Sequence, residues 1–357
     1  MRVLLLSKYS RKGASSRLRS LQYLPLLAEK NINVTVSNLF DDRYLEALYL
    51  TGRKVSFRTA YLYVKRLLTL LTAYRYDMLW IEKELFPYCP AVCEAVLSAT
   101  GVNYIVDYDD AIFHKYDLAK SGLIRKALGK KIDTVMASSA CVVVGNKYLA
   151  ERARAAGAPR VEIIPTVVDC RRYDVPKVRN KGALVIGWMG SPSTQHYLLA
   201  IKDALQEVCT VLNAKVMLVG ATADIIDHLA GIPVEILPWI ETTEAENIAK
   251  MDVGIMPLIE GPWENGKCGY KLIQYMAGGV AVVASPVGAN TEILEGNDCG
   301  RLARGVDEWS SILIDLLSDC TLRDDLGKQG RNRVKQKYSL HSQSELLADI
   351  IESASRS

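Results

Sequence analysis

The chain has 357 residues, 49% hydrophobic and 24% charged, the composition of a soluble globular protein and a length that favours two domains over one growing core. No apolar run approaches the ~20 residues of a membrane-spanning helix, Met1–Ser7 is too short for a secretory segment, and eight cysteines without metal-ligand spacing read as buried small hydrophobes in a reducing cytoplasm. The net charge of +4 conceals a division: residues 1–175 hold 27 of the 44 Lys/Arg and 17 of the 40 Asp/Glu, leaving 17 against 23 for the rest, so the first half favours an anionic partner.

Apolar runs of strand length alternate with amphipathic segments, the pattern of a parallel α/β sheet. Strands are predicted at Val3–Leu6, Asn33–Val36, Met78–Ile81, Tyr104–Val106, Cys141–Val144 and Glu162–Ile164. Helices are predicted between them at Ser15–Glu29, Val55–Tyr74, Pro90–Ala99, Gly122–Met136 and Lys147–Ala156. A polar, basic stretch at Asp174–Lys181 marks the domain boundary. A second series follows at Leu184–Gly187, Val216–Val219, Val234–Leu237, Val253–Met256 and Ala281–Ala284, with a helix at Tyr197–Leu212. The chain ends in helices at Leu322–Gln336 and His341–Ser353.

Three segments of the first half carry candidate chemistry. Lys8–Arg19, with Gly13 and Arg17, lies between the first strand and the first helix, where doubly wound sheets bind ligands; a basic surface turn is the alternative. Asp107-Tyr108-Asp109-Asp110 ends a strand, and His114 follows it as a pocket or a capping residue. The segment Val55–Tyr76 with Arg53, Lys54, Arg58, Lys65, Arg66 and Arg75 mixes basic heads with aromatic and leucine anchors. It reads as an interfacial helix or as a core-packed helix with a solvated basic face. No nucleic-acid module is recognisable, so an anionic membrane surface is the preferred partner of the basic half.

The second half holds two glycine-bearing loops. Gly187-Trp188-Met189-Gly190-Ser191-Pro192-Ser193-Thr194 follows a strand, and its small residues admit close backbone approach while Ser191, Ser193 and Thr194 offer hydroxyls. Glu264-Asn265-Gly266-Lys267-Cys268-Gly269-Tyr270-Lys271 then opens a helix that stops at Gly278-Gly279, before a buried strand and the loop Gly288-Ala289-Asn290-Thr291-Glu292. A helix N-terminus with Lys267 and Lys271 beside it favours a phosphate-bearing ligand. An ordinary helix-to-strand connection is the alternative.

This stretch resembles the donor-binding signature of the retaining glycosyltransferases of family 4 and their GT-B relatives. These carry a glutamate, seven residues, a second glutamate, a Met-Ala-x-Gly stop, an apolar strand and a Gly-x-x-Glu loop. Aligned on Met276-Ala277 and Gly288, the second glutamate falls on Gln274 and the first on Gly266, so the frame persists without either carboxylate; Glu264 is the candidate replacement. Trp188 stands where the family usually has a phosphate-binding arginine. Pro165–Asp169 resembles the family's Pro-Asn-Gly-Val-Asp junction, and Asp109-Asp110 aligns with its His-Asp pair.

The resemblance implies an α/β GT-B fold: two Rossmann-like domains facing a central cleft, over 1–173 and 174–338, with a helix over 339–357 crossing back onto the first. It implies transfer of a sugar from a UDP- or GDP-type donor to a hydroxyl of a glycan or lipid-linked acceptor, with no cofactor and no metal, in the cytoplasm or at the inner face of the cell membrane. Asp109, Asp110, His114 and Glu264 are the implied catalytic residues. The implied donor-binding set is Gly13, Gly190, Ser191, Ser193, Thr194, Lys267, Cys268, Gly269, Lys271, Gln274, Gly288, Ala289, Asn290, Thr291 and Glu292. A magnesium or manganese ion on the aspartates is the alternative reading of that cluster. A nucleotide-sugar 2-epimerase of the same fold and a degenerate nucleotide-binding subunit are the alternative functions.

Overall fold

The computed structural model describes residues 1–51, 56–178, 182–296 and 298–356. They form two compact units: Met1–Thr166 with Gly266–Cys268 and Gln343–Ser357, and Val167–Asn265 with Gly269–Ser342. Arg53 and Lys54 lie outside the described residues.

The first unit is built on β1 (Arg2–Tyr9), β2 (Asn33–Phe40), β3 (Met78–Glu82), β4 (Tyr104–Tyr108), β5 (Cys141–Val144) and β6 (Val161–Ile163). These strands are all parallel, in the order β2-β1-β3-β4-β5-β6. The second unit repeats the plan with β7 (Leu184–Met189), β8 (Ala214–Val219), β9 (Val234–Leu237), β10 (Val253–Met256), β11 (Ala281–Ala284) and β12 (Arg301–Leu302). Its order is β12-β11-β10-β7-β8-β9, again parallel. Every residue of β3, β4, β5, β10 and β11 is buried, because helices cover both faces of a parallel sheet. That explains why these strands read in the sequence as short continuous apolar runs.

Both sheets reverse their strand order beside their first strand, between β1 and β3 and between β7 and β10. Ligands of open α/β sheets bind at the carboxyl ends of the strands where such a reversal opens a crevice. Lys8, Tyr9 and the segment after Glu82 lie at the first reversal. Met189, Gly190 and the segment after Met256 lie at the second.

Three predicted helices are broken. Ser15–Glu29 is a helix at Ala14–Arg19, a 3-10 turn at Leu21–Tyr23 and a helix at Leu24–Glu29, since Pro25 lacks the N–H that a continuous helix needs. Gly122–Met136 divides into Gly122–Leu128 and Lys131–Ala137. The helix expected over Tyr197–Leu212 is 3-10 from Pro192 to Ile201 and α-helical only over Lys202–Val211.

The helix Ser56–Leu70 carries one correction. Arg66 is not a basic head on its surface: it is 2% exposed and its guanidinium donates to the carbonyls of Ser7 at 2.7 Å and Ser37 at 3.0 Å. It therefore pins the helix to the sheet.

Close packing in the second unit gives a direct test. A Cβ on Gly327, in the helix Cys320–Lys337, would lie 2.1 Å from the Gly279 carbonyl oxygen. Gly327→Ala is expected to cost about 1–3 kcal/mol and to lower the urea midpoint. Gly122→Ala, at an exposed helix start with nothing nearer than 3.8 Å, should hold or raise it. Equal midpoints for the two variants would contradict this packing.

Candidate active site

In the second unit the loop after β7 passes under a lysine. A Cβ on Gly190 would meet the Trp188 ring at 2.4 Å and Lys271 Cε at 3.0 Å, so only glycine fits. The Lys271 ammonium lies 4.7 Å from the centre of the Trp188 ring and 3.4 Å from Thr194 Oγ1. Trp188 is buried, and its ring face attracts the ammonium that lies over it. Ser191 and Ser193 are exposed, with hydroxyls 2.8 Å apart, and Thr194 Oγ1 donates to the Ser191 carbonyl at 3.0 Å.

Lys271 sits in the first turn of the helix Tyr270–Ala277. Gly269 precedes that helix at φ +64°, a left-handed start where a Cβ would strike Ile293 at 2.3 Å, and as the N-cap residue it makes no side-chain cap bond. Positive helix dipole and ammonium therefore coincide. Gly288, at φ +54°, packs so tightly that a Cβ would lie 2.8 Å from the Asn265 carbonyl oxygen. Glu264 accepts a hydrogen bond from the Tyr197 hydroxyl. The structure thus joins Gly190, Thr194 and Lys271, and separately sets Glu264 on Tyr197 and Gly288 against Asn265.

Other members of the expected donor set have structural duties. Gln274 is 3% exposed, and its amide donates to the Tyr173 hydroxyl at 3.2 Å. Tyr173 in turn donates to Glu244 at 2.6 Å, which also accepts the Trp239 indole N–H at 2.9 Å. Asn290 is buried and donates to the Ser285 carbonyl at 3.0 Å, fixing the loop. Ala289 is buried, Thr291 is exposed and Glu292 half-buried. The Tyr173–Glu244–Trp239 chain was not visible in the sequence, because its members belong to no common motif.

In the first unit the carboxyl ends of β1, β3 and β4 carry a dense charge network. Lys83, fully buried by its surroundings and at φ +67°, places its ammonium 2.6 Å from Asp109, 3.3 Å from Asp110 and 3.1 Å from Ser15 Oγ. Burial raises the proton affinity of Asp109, but the Lys83 ion pair outweighs it and holds the carboxyl at about 2. Burial pushes Asp110 up, and Lys83 offsets this only in part. Two neighbouring carboxyls are thereby driven apart in proton affinity, the arrangement that divides acid from base roles.

Around this centre, Asp107 forms a two-pronged pair with Arg19, both bonds at 2.8 Å. Glu84 takes the Lys131 ammonium at 2.5 Å and the Tyr116 hydroxyl at 2.7 Å. The sequence reading missed Glu82-Lys83-Glu84, whose signal is an alternating-charge triplet directly after an apolar strand.

The remaining expected residues of this unit are structural. Both His114 ring nitrogens are engaged, Nδ1 with Asp117 and Nε2 with the Tyr148 hydroxyl, each at 2.8 Å. Gly13 accommodates Tyr9, whose Cβ would lie 2.4 Å from an added methyl. Cys268 is buried, its thiol pushed far up by burial, and it donates to the Asp109 carbonyl at 3.1 Å. The Lys267 carbonyl accepts from Asn146 at 3.0 Å, and its ammonium lowers the proton affinity of Asp110. Among the described residues no three His, Cys, Asp or Glu side chains are grouped to hold a metal ion.

Residues 180–319 match the family of glycosyl transferases group 1. HepE from Anabaena, solved in complex with UDP, is similar over 99% of this chain and 100% of its own, with 15% identity and a TM-score of 0.69. Sucrose-phosphate synthase from Thermosynechococcus elongatus matches over 99% of this chain and 98% of its own, with 14% identity and a TM-score of 0.75. WaaG, a glycosyltransferase involved in lipopolysaccharide biosynthesis, matches over 98% and 99%, with 15% identity and a TM-score of 0.69. No curated protein sequence matches the chain at a significant level. Identities this low carry the fold, and the fold they share is GT-B. The chain therefore has the GT-B architecture, and its residues 180–319 resemble the group 1 glycosyl transferases.

Proposed function

We propose that the protein is a retaining, metal-independent glycosyltransferase that moves a hexose from a nucleoside-diphosphate sugar to a hydroxyl of a glycan or lipid-linked acceptor. The observation that carries this reading is the Lys271 ammonium beside Thr194, in the first turn of the helix Tyr270–Ala277. A diphosphate leaving group gains negative charge as the glycosidic bond breaks, and a fixed ammonium with helix amides stabilises that charge without reorganisation. Ser191 and Ser193 add hydroxyl donors, and the close approach at Gly190 leaves the phosphates room at the backbone. HepE is described with UDP and with UDP-glucose, which favours a uridine diphosphate donor here.

The second unit holds the donor in this reading and the first unit prepares the acceptor. Asp110 is the more accessible of the paired carboxylates, with 31% side-chain exposure against 14% for Asp109. Its raised proton affinity suits it to accept the hydrogen of an acceptor hydroxyl, while Lys83 keeps Asp109 ionised. The aspartates already have cationic partners, which supports a reaction that needs no divalent ion. Glu264, fixed by Tyr197, is the candidate replacement for the family's first glutamate.

We also place the acceptor-side unit at an anionic membrane. No described helix is long and apolar enough to cross a bilayer. The helix Ser56–Leu70 and its next residue nevertheless expose Phe57 (92%), Tyr61, Val64, Leu68 and Leu71 (69%). Their spacing aligns them on one side, and Lys65 flanks that side. Such a stripe inserts its apolar groups at the headgroup boundary while the cations meet acidic lipids.

Three outcomes test these assignments. Titration calorimetry should show UDP binding that Lys271→Ala weakens about tenfold to a hundredfold, the ~1.5–3 kcal/mol of a charge-assisted contact; unchanged affinity removes Lys271 from the donor site. Hydrolysis of UDP-glucose should survive exhaustive EDTA, and its loss with restoration by manganese would overturn the metal-independent reading. Vesicle co-sedimentation should require anionic lipid, weaken with salt and fall in Phe57→Glu and Leu68→Glu; equal binding to neutral vesicles, or none, would favour a soluble acceptor.

A further inference from the structure

A cavity of about 340 Å³ opens at the carboxyl ends of β10, β11 and β12 in the second unit. Leu258 and Glu260 follow β10, Pro286 and Val287 follow β11, and Arg304 follows β12. Trp309, in the helix Gly305–Ser318, lines the same space. None of the donor or acceptor residues assigned above lines it. Its volume lies at the lower end of the range for small-molecule pockets.

Two opposite charges stand on this wall. Arg304 and Glu260 are both exposed. Among the described residues neither side chain has an ion pair or a hydrogen bond, with the other or with a third group. Glu308, one turn further on, accepts from the Arg304 backbone N–H at 2.7 Å rather than from the guanidinium. An unlike pair within reach would close on itself. Held apart on one cavity, the two charges match the two ends of a ligand that carries both signs.

The wall also holds a donor that the fold leaves unmet. Trp309 is 2% exposed, and a buried indole N–H usually finds an acceptor. The Trp239 N–H does so, meeting Glu244 at 2.9 Å, whereas no described residue accepts from Trp309. The Trp80 N–H is likewise unmet but is sealed in protein; Trp309 borders a space that can bring an acceptor to it. Beside it Leu258 and Val287 are apolar and almost wholly buried. The Leu258 N–H donates to Ser285 Oγ at 3.0 Å, and Asn290 donates to the Ser285 carbonyl at 3.0 Å. These bonds fix the segments after β10 and β11, so the wall is formed before any ligand arrives, and binding need not order it.

We propose that this cavity is a ligand site for a small zwitterion with an apolar body, of the aliphatic α-amino acid class. The carboxylate lies at Arg304 and the Trp309 N–H, the ammonium at Glu260, and the side chain against Leu258, Pro286 and Val287. A guanidinium fork suits a carboxylate. One charge of each sign also selects against a simple anion or a simple amine, because either would leave one wall charge facing its own kind. The proposal does not rest on the glycosyl-transfer reading.

Titration calorimetry of the full chain with leucine, 4-methylpentanoate and isopentylamine tests it. The last two are leucine without its ammonium and leucine without its carboxylate. Leucine should bind at least ten times more tightly than either fragment. Arg304→Gln and Glu260→Gln should each weaken leucine at least fivefold while the urea midpoint holds, since both residues are exposed. No binding of leucine, a fragment that binds as tightly, or leucine affinity indifferent to either variant would overturn the proposal.

Discussion

Lys83 is the interaction on which the first unit depends. Its ammonium is removed from water, in left-handed backbone, and is kept charged because Asp109 and Asp110 outweigh the cost of burial. Each ion of such a buried cluster requires its partners, since losing one leaves an uncompensated charge in a medium that solvates it poorly. Arg19 with Asp107, and Lys131 with Glu84, extend the same constraint along the carboxyl edge of the sheet. The result is a row of ionised groups held in fixed geometry at the place where a parallel sheet opens to ligand. Fixed charges of this kind act on a reacting group without reorganising.

The second unit solves a different problem with fewer charges. Gln274 and Trp188 stand where the resemblance read from the sequence leads one to expect charged side chains. Gly190 lets Lys271 lie across the loop, and the Trp188 ring underneath receives its ammonium. An aromatic face and a hydroxyl thus help to orient the lysine. Gln274 keeps the signature's position but turns inward to Tyr173, tying its helix to the Glu244 and Trp239 side chains. A carboxylate at that buried position would face Glu244 through one hydroxyl, which makes the neutral amide the compatible choice.

Much of the fold was legible because parallel strands are buried on both faces and announce themselves as apolar runs. Among the described residues, eleven of the twelve strands correspond to predicted ones; β12 (Arg301–Leu302) is too short to leave a signal. Helix continuity was less legible. Pro25 and Gly129 interrupt helices that hydrophobic spacing alone had joined, and the 3-10 run Pro192–Ile201 replaced the first five residues of an expected α-helix. The glycine loops of the second half were legible as tightly packed turns, since Gly190, Gly269 and Gly288 each occupy a position that a side chain would block.

The sequence by itself determined the two-sheet α/β plan and the order of its elements, because burial periodicity and glycine placement are local properties of the chain. It determined that lysines accompany a helix N-terminus in the second half, and that aspartates end a strand in the first. Only the tertiary structure decided which of these charges are spoken for. His114 is tied at both nitrogens, Cys268 and Asn290 are buried, Arg66 points into the core, and Lys8 gains aromatic neighbours from β2 and the helix Ser56–Leu70. Ionic partners such as Arg19 and Asp107 stand 88 positions apart, and a charge cannot disclose its partner until the sheet brings the two together. The chemistry of a buried ion is set by what replaces its water, and that is settled by packing.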